Sequence, residues 1–331
     1  MQIKTTTKNL KNYKVYLQVK KAVNEFFEKN NYLKIDLPVL SPTLIPESYL
    51  EVFETEFRLS WEKTCLPAGR EKLYLTPSPE LFLKRLLAYG VGDCYYLGKS
   101  FRNSDQPSSL HSFEFMMLEF YKMNANYMDI AEEVLKMLRH IDKKVKNEFV
   151  SFKKWEKISV TEAFEKYSDI SEKELFDHKL FLKRAEEKGY QIVKTPKLDV
   201  STYKDLWSQI YVQEIEPNLG KNGYPTLIYD YPKEFAALAK LNIDGKTTQR
   251  FEFYINGIEL GDCYTELTDW REQELRFKKE SGVIHPIDKG YIEALKYGLQ
   301  DCSGIAIGLE RLAMIFANVD SIEKLKLINI S

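Results

Sequence analysis

Apolar residues recur at helical spacing over residues 14–29, at Val15, Val19, Ala22, Val23, Phe26 and Phe27, which predicts a helix with one buried face. NNYLKIDLPVLSP follows as a short extended segment closed by prolines. Leu73–Leu75 reads as a strand, and Ser78-Pro79 as a helix start, with Ser78 as N-cap, Pro79 in the first turn and a run to about Gly90. Residues 94–101 and 113–121 are aromatic-rich and predict two strands joined by the polar loop NSDQPSSLHS. Residues 128–148 carry a helical stripe of Ile130, Val134, Leu138, Ile141 and Val145. From about 150 to 220 the chain is charged and mostly helical in pattern, with no chemical motif. TLIYDYP (226–232) reads as a strand stopped by Pro232, and residues 250–264 as two strands around the Asn256-Gly257 turn. SGIAIGLERLAMIFAN (303–318) is a short strand feeding a helix. Strands interleaved with helices and hairpins predict an α/β (α+β) fold, a mainly antiparallel sheet flanked by helices.

Composition and charge narrow the picture. The 331 residues carry 48 basic and 49 acidic side chains, so the basic excess of a protein dedicated to RNA is missing. The cysteines Cys65, Cys94, Cys263 and Cys302 form no CxxC pair, and His111, His140, His178 and His285 never approach HxxxH spacing, which speaks against zinc. Scattered cysteines read as reduced thiols in a cytoplasmic protein. The first residues have no apolar leader core, and no stretch of 18 apolar residues is available to span a membrane.

The hairpin is the most informative element. A two-residue turn pairs Ile255 with Ile258, faces Tyr254 with Glu259, and sets Glu252 against Gly261. Glu252 and Glu259 then share a sheet face as diagonal neighbours, roughly 7–8 Å apart at the backbone. Like charges so placed repel unless a cation sits between them, and magnesium carrying a nucleotide phosphate is such a cation. Two surface glutamates fit the spacing equally well. Phe115, Met117, Glu119 and Tyr121 share a face of the preceding strand pair, which can stack a base and hold an ammonium group. A strand packing its aromatics into the core is the simpler reading of that spacing. Arg102 closes an apolar strand before a polar loop, a position suited to bidentate phosphate binding or to an ordinary surface charge. Gly304 and Gly308 allow close backbone approach just before a helix.

Taken in order, these elements resemble the three signature motifs of class II aminoacyl-tRNA synthetases, over about residues 15–330. The helix and extended segment ending at Pro38 resemble the first, YLGKSFRN with FEFMMLEFY the second, and GIAIGLER the third. TPSPELFLKRLL and FEFYINGIELGDCYTELTD are similar to the lysine-site segments of lysyl-tRNA synthetases. The resemblance implies that Glu266 pairs with the substrate side-chain ammonium, helped by Tyr121 and Glu119, while Glu80 holds the α- or β-amine beside Ser78, Pro79 and Ala306. It implies ATP contacts from Arg102, Asn103, Ser104, His111, Ser112, Phe115, Glu259, Leu260, Gly308 and Arg311. Phe115 stacks on adenine, Arg102 grips the α-phosphate and Arg311 the γ-phosphate, these two arginines being the catalytic pair. Glu252 and Glu259 hold Mg2+.

Within that class the chain resembles the elongation-factor-P lysine ligases, truncated paralogues that attach (R)-β-lysine to a lysine of elongation factor P. Only about 25 residues precede the first motif, too few for an anticodon-binding OB-fold, and Ala306 stands where lysyl-tRNA synthetases have glycine. HPID and IEALKYGLQDCSGIAIGLERL are especially similar to this family. The resemblance therefore implies one catalytic domain over 1–331 with a helical insertion at about 150–220, ATP and Mg2+ as cofactors, elongation factor P as acceptor, no tRNA, and a homodimer through the segment around Phe26–Leu40. Some positions depart from the pattern. Ser104 replaces a glutamate after Arg102-Asn103, with Asp105 next to it. Asp262 replaces an asparagine near the substrate carboxylate, and Ser112-Phe113 replaces Asn-Pro. A ligase acting on tRNA or a small molecule, and a non-catalytic paralogue, are the alternatives. The retention of Arg102, Glu252, Glu259, Glu266 and Arg311 together argues against the last.

Overall fold

The computed structural model describes residues 2–45, 51–58, 70–103, 108–191, 200–279 and 288–330. They form two compact units, one of Met1–Met123, Leu267–Asp301 and Ala306–Ser331, the other of Asn124–Glu266 and Cys302–Ile305.

In the first unit the helix Leu10–Lys29 buries Val19, Ala22, Val23, Phe26 and Phe27, the predicted stripe without its half-buried first member. Phe27 anchors an aromatic core, with ring centroids 4.7 Å from Tyr95, 4.8 Å from Phe120 and 5.1 Å from Tyr32. The strand Cys94–Phe101 pairs antiparallel with Glu114–Met123 along its whole length, from Cys94↔Tyr121 to Phe101↔Glu114, and in parallel with Leu33–Lys34 on its other edge. A small sheet joins Leu40–Ser41, Arg70–Leu75 and Glu54–Arg58, all antiparallel. The helix Glu80–Ala88 starts one residue later than its sequence suggests. Pro79 takes the N-cap position and Ser78 lies just outside it. From there the Ser78 hydroxyl still accepts the Glu80 N–H at 3.1 Å, leaving its proton for another partner. The helix Leu309–Ala317 packs on Leu10–Lys29.

In the second unit the helix Tyr127–Val145 opens on a capping box between Asn126 and Asp129. Its buried stripe holds Ile130, Val134, Leu138 and Ile141. Strands Glu156–Ser159 and Thr226–Tyr229 run parallel, and Thr226–Tyr229 pairs antiparallel with Arg250–Ile255. Arg250–Ile255 turns through Asn256-Gly257 into Ile258–Thr265. Both turn residues have positive φ, 55° and 75°, the backbone of a type I′ hairpin that Asn-Gly adopts cheaply. The helices Val160–Ser168, Glu172–Phe176, His178–Glu187 and Val200–Ile210 pack an apolar cluster centred on Phe164, Phe181, Tyr203 and Trp207 against Ile228, Tyr231 and Tyr254 from the sheet side. Antiparallel pairing thus predominates in both units, as the sequence pattern predicts. No helix among the described residues is long and apolar enough to cross a membrane.

Candidate active site

The first unit gathers a buried acidic cluster around an amine-sized charge. Glu80 and Lys84, four apart on one helix, share a face, and Lys84 Nζ lies 2.5 Å from Glu80 Oε1. Alternation along the strand Glu114–Met123 places Glu119 and Tyr121 on one face, and Tyr121 donates to Glu119 Oε1 at 2.7 Å. Ser78 donates to Glu119 Oε2 at 2.9 Å. Glu80, Lys84 and Glu119 are 6%, 2% and 2% exposed, so two carboxylates and one ammonium sit out of water together. Burial, then the Glu80 charge, pushes the Glu119 carboxyl up to about 8, against the pull of Tyr121, Ser78 and Lys84. Such a carboxylate favours a second ammonium beside it. Of the side chains the structure gathers here, Ser78, Glu80, Glu119 and Tyr121 are among the residues expected from the sequence, and Lys84 is not; its only sequence signal is its i+4 spacing from Glu80.

The same unit presents the guanidinium groups of Arg102 and Arg311. Arg102 closes the strand Cys94–Phe101, its N–H on the Phe113 carbonyl at 3.0 Å, with its guanidinium 5.4 Å from the Phe115 ring centroid. Arg102 Nε is buried with no hydrogen-bond partner among the described residues, an orphan donor that a phosphate oxygen would satisfy. Phe115 therefore carries the guanidinium over its ring. Asn103 is held by its N–H on the Glu51 carbonyl at 2.9 Å, while Ser104 and Asp105 lie outside the described residues. Arg311, in the first turn of Leu309–Ala317 after Gly308, reaches His111 Nε2 at 2.7 Å and the Leu110 carbonyl at 3.1 Å. Ser112 Oγ accepts from Lys326 Nζ at 3.2 Å. Glu310 secures this helix to the strand, both oxygens accepting the Met116 N–H at 3.0 and 2.9 Å. Ala306 is half-buried on the strand face opposite the buried Ile305 and Ile307.

In the second unit the hairpin register departs from the sequence reading. Ile255↔Ile258 and Tyr254↔Glu259 hold, but a bulge follows, so Phe253 faces Gly261 and Glu252 faces Asp262. Leu260 is the extra residue, 1% exposed, its side chain taken into the core, so only its backbone remains to meet a ligand. The slip is invisible in the sequence because a bulge inserts one residue without disturbing the turn. It brings Asp262 rather than a glycine beside Glu252. Arg250, two residues before Glu252 on the same face, clamps both: Nε and Nη2 each lie 2.9 Å from an Asp262 oxygen, and Nη2 lies 2.9 Å from Glu252 Oε1. Asp262 is thus paired with a guanidinium, which removes the repulsion a bare aspartate would exert on a carboxylate ligand. Tyr254 donates to Glu252 Oε2 at 2.7 Å. Burial pushes the Glu252 carboxyl up to about 7, opposed by Arg250 and reinforced by the Glu259 and Asp262 charges. Glu252 and Glu259 do share a face. Each carboxylate has about four lone-pair positions, so Glu252 keeps acceptor capacity beyond the partners named. Two hard carboxylates suit magnesium held jointly with phosphate oxygens. No cluster of three metal-ligating side chains occurs among the described residues.

Glu266 directly follows the second hairpin strand, 1% exposed, its N–H on the Cys302 carbonyl at 2.9 Å. Thr265 fixes that strand end: its Oγ1 accepts the Tyr127 N–H at 2.9 Å and lies 3.2 Å from Ser303 Oγ, and its carbonyl accepts the Lys240 N–H at 2.8 Å. The Asp262 and Glu266 charges, after burial, raise the Cys263 thiol.

Comparison with known proteins matches residues 1–328 to the model of the tRNA synthetases class II (D, K and N). The chain is similar to the elongation factor P–(R)-β-lysine ligase of Buchnera aphidicola subsp. Acyrthosiphon pisum (strain Tuc7), 35% identical over 312 residues, 90% of this chain and 89% of the relative. It is 32% identical to the protein of that name from Proteus mirabilis (strain HI4320), over 91% of this chain and 89% of the relative. The Photobacterium profundum protein of that name is 31% identical over 96% of this chain and 95% of its own length.

Proposed function

This chain belongs to the class II tRNA synthetases (D, K and N) and, among them, to the elongation factor P–(R)-β-lysine ligases, and on that premise we propose that it activates (R)-β-lysine with ATP and joins it to a lysine side chain of elongation factor P. The amino-acid carboxylate attacks the α-phosphorus in line and pyrophosphate departs. Arg102 and Arg311 stabilise the phosphoryl charge, with His111, Ser112 and Phe115 positioning the nucleotide. Magnesium, held through Glu252 and Glu259, supplies further charge neutralisation when bound. The acceptor ε-amine then attacks the adenylate carbonyl, an amide bond forms and AMP leaves.

Glu119 is the observation that carries the choice of an amine-bearing substrate. Its carboxyl is buried, doubly hydrogen-bonded and next to Glu80, an environment that a bound ammonium relieves. Glu266 takes the side-chain ammonium in this reading, and the Ala306 methyl tilts the choice toward the β-isomer. A homodimer forms along the segment around Phe26–Leu40. Phe26 and Phe27 belong to the unit's own core, so the exposed Leu33 and Leu40 carry the seam. The balanced charge supports a protein rather than a tRNA acceptor. The test follows radiolabelled (R)-β-lysine, with ATP, into purified elongation factor P and into bulk tRNA. Label in the protein alone is expected; efficient charging of tRNA refutes the assignment.

A further inference from the structure

The segment of about 150–220 carries no chemical motif, yet the helix Val200–Ile210 leads into a turn that delivers one side chain to the candidate metal carboxylate. The helix Val200–Ile210 ends in a single π turn, Tyr211–Ile215. Such turns re-aim side chains and recur at functional sites. Tyr211 opens it, its ring stacked on Trp207 at 4.8 Å. Its hydroxyl lies 2.7 Å from the Tyr231 hydroxyl, 3.3 Å from the Tyr254 hydroxyl and 3.4 Å from Glu252 Oε2. Tyr211, Tyr231 and Tyr254 are 5%, 1% and 1% exposed, and Arg250 lies over the Tyr231 ring at 4.7 Å.

Each phenol has one proton to give. Tyr254 gives its proton to Glu252 Oε2. Tyr211 gives its own to Tyr254 or Glu252, and Tyr231 supplies Tyr211 in turn. The three hydroxyls thus form a directed chain that ends on one carboxylate oxygen, while Arg250 holds the other. Phenylalanine would fill these volumes without the cost of burying hydroxyl groups, so packing does not account for them.

We propose that Tyr211 is a positioning residue: the turn after the helix Val200–Ile210 uses its hydroxyl to fix the plane of the Glu252 carboxylate and so preset it for magnesium. This rests on the reading of Glu252 as a metal ligand. The test compares Tyr211→Phe, Glu252→Gln and Tyr203→Phe. Tyr203 is the control, because its hydroxyl makes an equally buried bond, to the Leu175 carbonyl at 2.9 Å, away from Glu252. Two readouts are taken on the full chain: Mn2+ binding to the ATP complex by electron paramagnetic resonance, and the Mg2+ concentration for half-maximal ATP–pyrophosphate exchange. Melting temperature and KM for the amino acid are measured alongside.

Tyr211→Phe is expected to weaken Mn2+ binding and raise the Mg2+ half-point by about 5–20-fold, the size of one buried hydrogen bond, with the amino-acid KM unchanged. Tyr203→Phe should lower the melting temperature to a similar degree and move neither metal readout. Should Tyr211→Phe fail to fold, Tyr231→Phe breaks the same chain one hydroxyl earlier and is expected to shift both readouts in the same direction. Equal shifts in Tyr211→Phe and Tyr203→Phe overturn the proposal. So does a shift in Glu252→Gln alone, which leaves the metal reading standing. If Glu252→Gln moves neither readout, the metal reading itself is wrong and Tyr211 loses its role with it.

Discussion

Arg311 Nη2 lies 2.7 Å from His111 Nε2. A guanidinium only donates, so His111 accepts there and carries its proton on Nδ1, facing Ser108 Oγ at 3.2 Å. The imidazole is therefore neutral and pins one edge of the guanidinium, while the Leu110 carbonyl holds Nε. Removing this support with His111→Ala should raise the KM for ATP by roughly 5–20-fold, about 1–2 kcal/mol, with the amino-acid KM little changed. Steady-state ATP–pyrophosphate exchange at varied ATP checks it; an unchanged ATP KM removes His111 from the nucleotide site.

The buried Glu119 makes the ligand-free protein pH-sensitive. Its carboxyl is raised to about 8 in the folded state, from 4.5. Between those values the native state binds more protons than the unfolded chain, so this contribution to stability is full below 4.5 and is lost as pH rises through about 8. Melting temperature should therefore fall across that window, and Glu119→Gln should flatten the fall. A lysine-type ligand, bringing its own ammonium, should stabilise the wild-type protein most at the alkaline end. A pH series of thermal melts on both proteins decides it.

Substrate choice tests Glu266 and Ala306 together. Glu266→Gln keeps the shape and removes the charge, so transition-state binding should weaken by roughly 2–5 kcal/mol, as for a desolvated charge pair. Ala306→Gly should raise activity with α-lysine while keeping activity with β-lysine, since one methyl group is worth about 1–3 kcal/mol of discrimination. The measurement is pyrophosphate exchange with α-lysine, both β-lysine enantiomers, ornithine and norleucine. Norleucine has the chain without the ammonium, and its activation at the lysine rate contradicts the role given to Glu266.

Glu259 faces Tyr254 across the hairpin and shares the Glu252 face. Glu259→Gln should raise the Mg2+ needed for half-maximal exchange by about tenfold or more, because magnesium relies on few protein carboxylates. An identical magnesium titration in this variant would separate the two glutamates.

Leu33 and Leu40 are 52% and 40% exposed in the segment assigned to the dimer seam. Leu33→Asp places a charge there without touching the Phe27 core. Sedimentation velocity should show a dimer for the wild-type protein and a shift toward monomer in the variant. A wild-type monomer at micromolar concentration counts against the seam.

Local pattern alone revealed much of this protein. Helical spacing marked Leu10–Lys29 and Tyr127–Val145, alternation marked the strands that present Glu119, Tyr121 and Glu252, and Asn256-Gly257 marked the hairpin. Periods of 3.6 and 2 residues are written into any short stretch of chain, so the faces they define are legible before folding. The tertiary structure decided which charges neutralise which. The bulge at Leu260 exchanged Gly261 for Asp262 opposite Glu252, and Arg250 closed on both acids. Tyr211 reached Glu252 from a position 41 residues away in sequence. A hydrogen bond across that separation leaves no periodicity in the chain, since it depends on how a π turn and a bulged strand pack, and packing is a property of the folded whole.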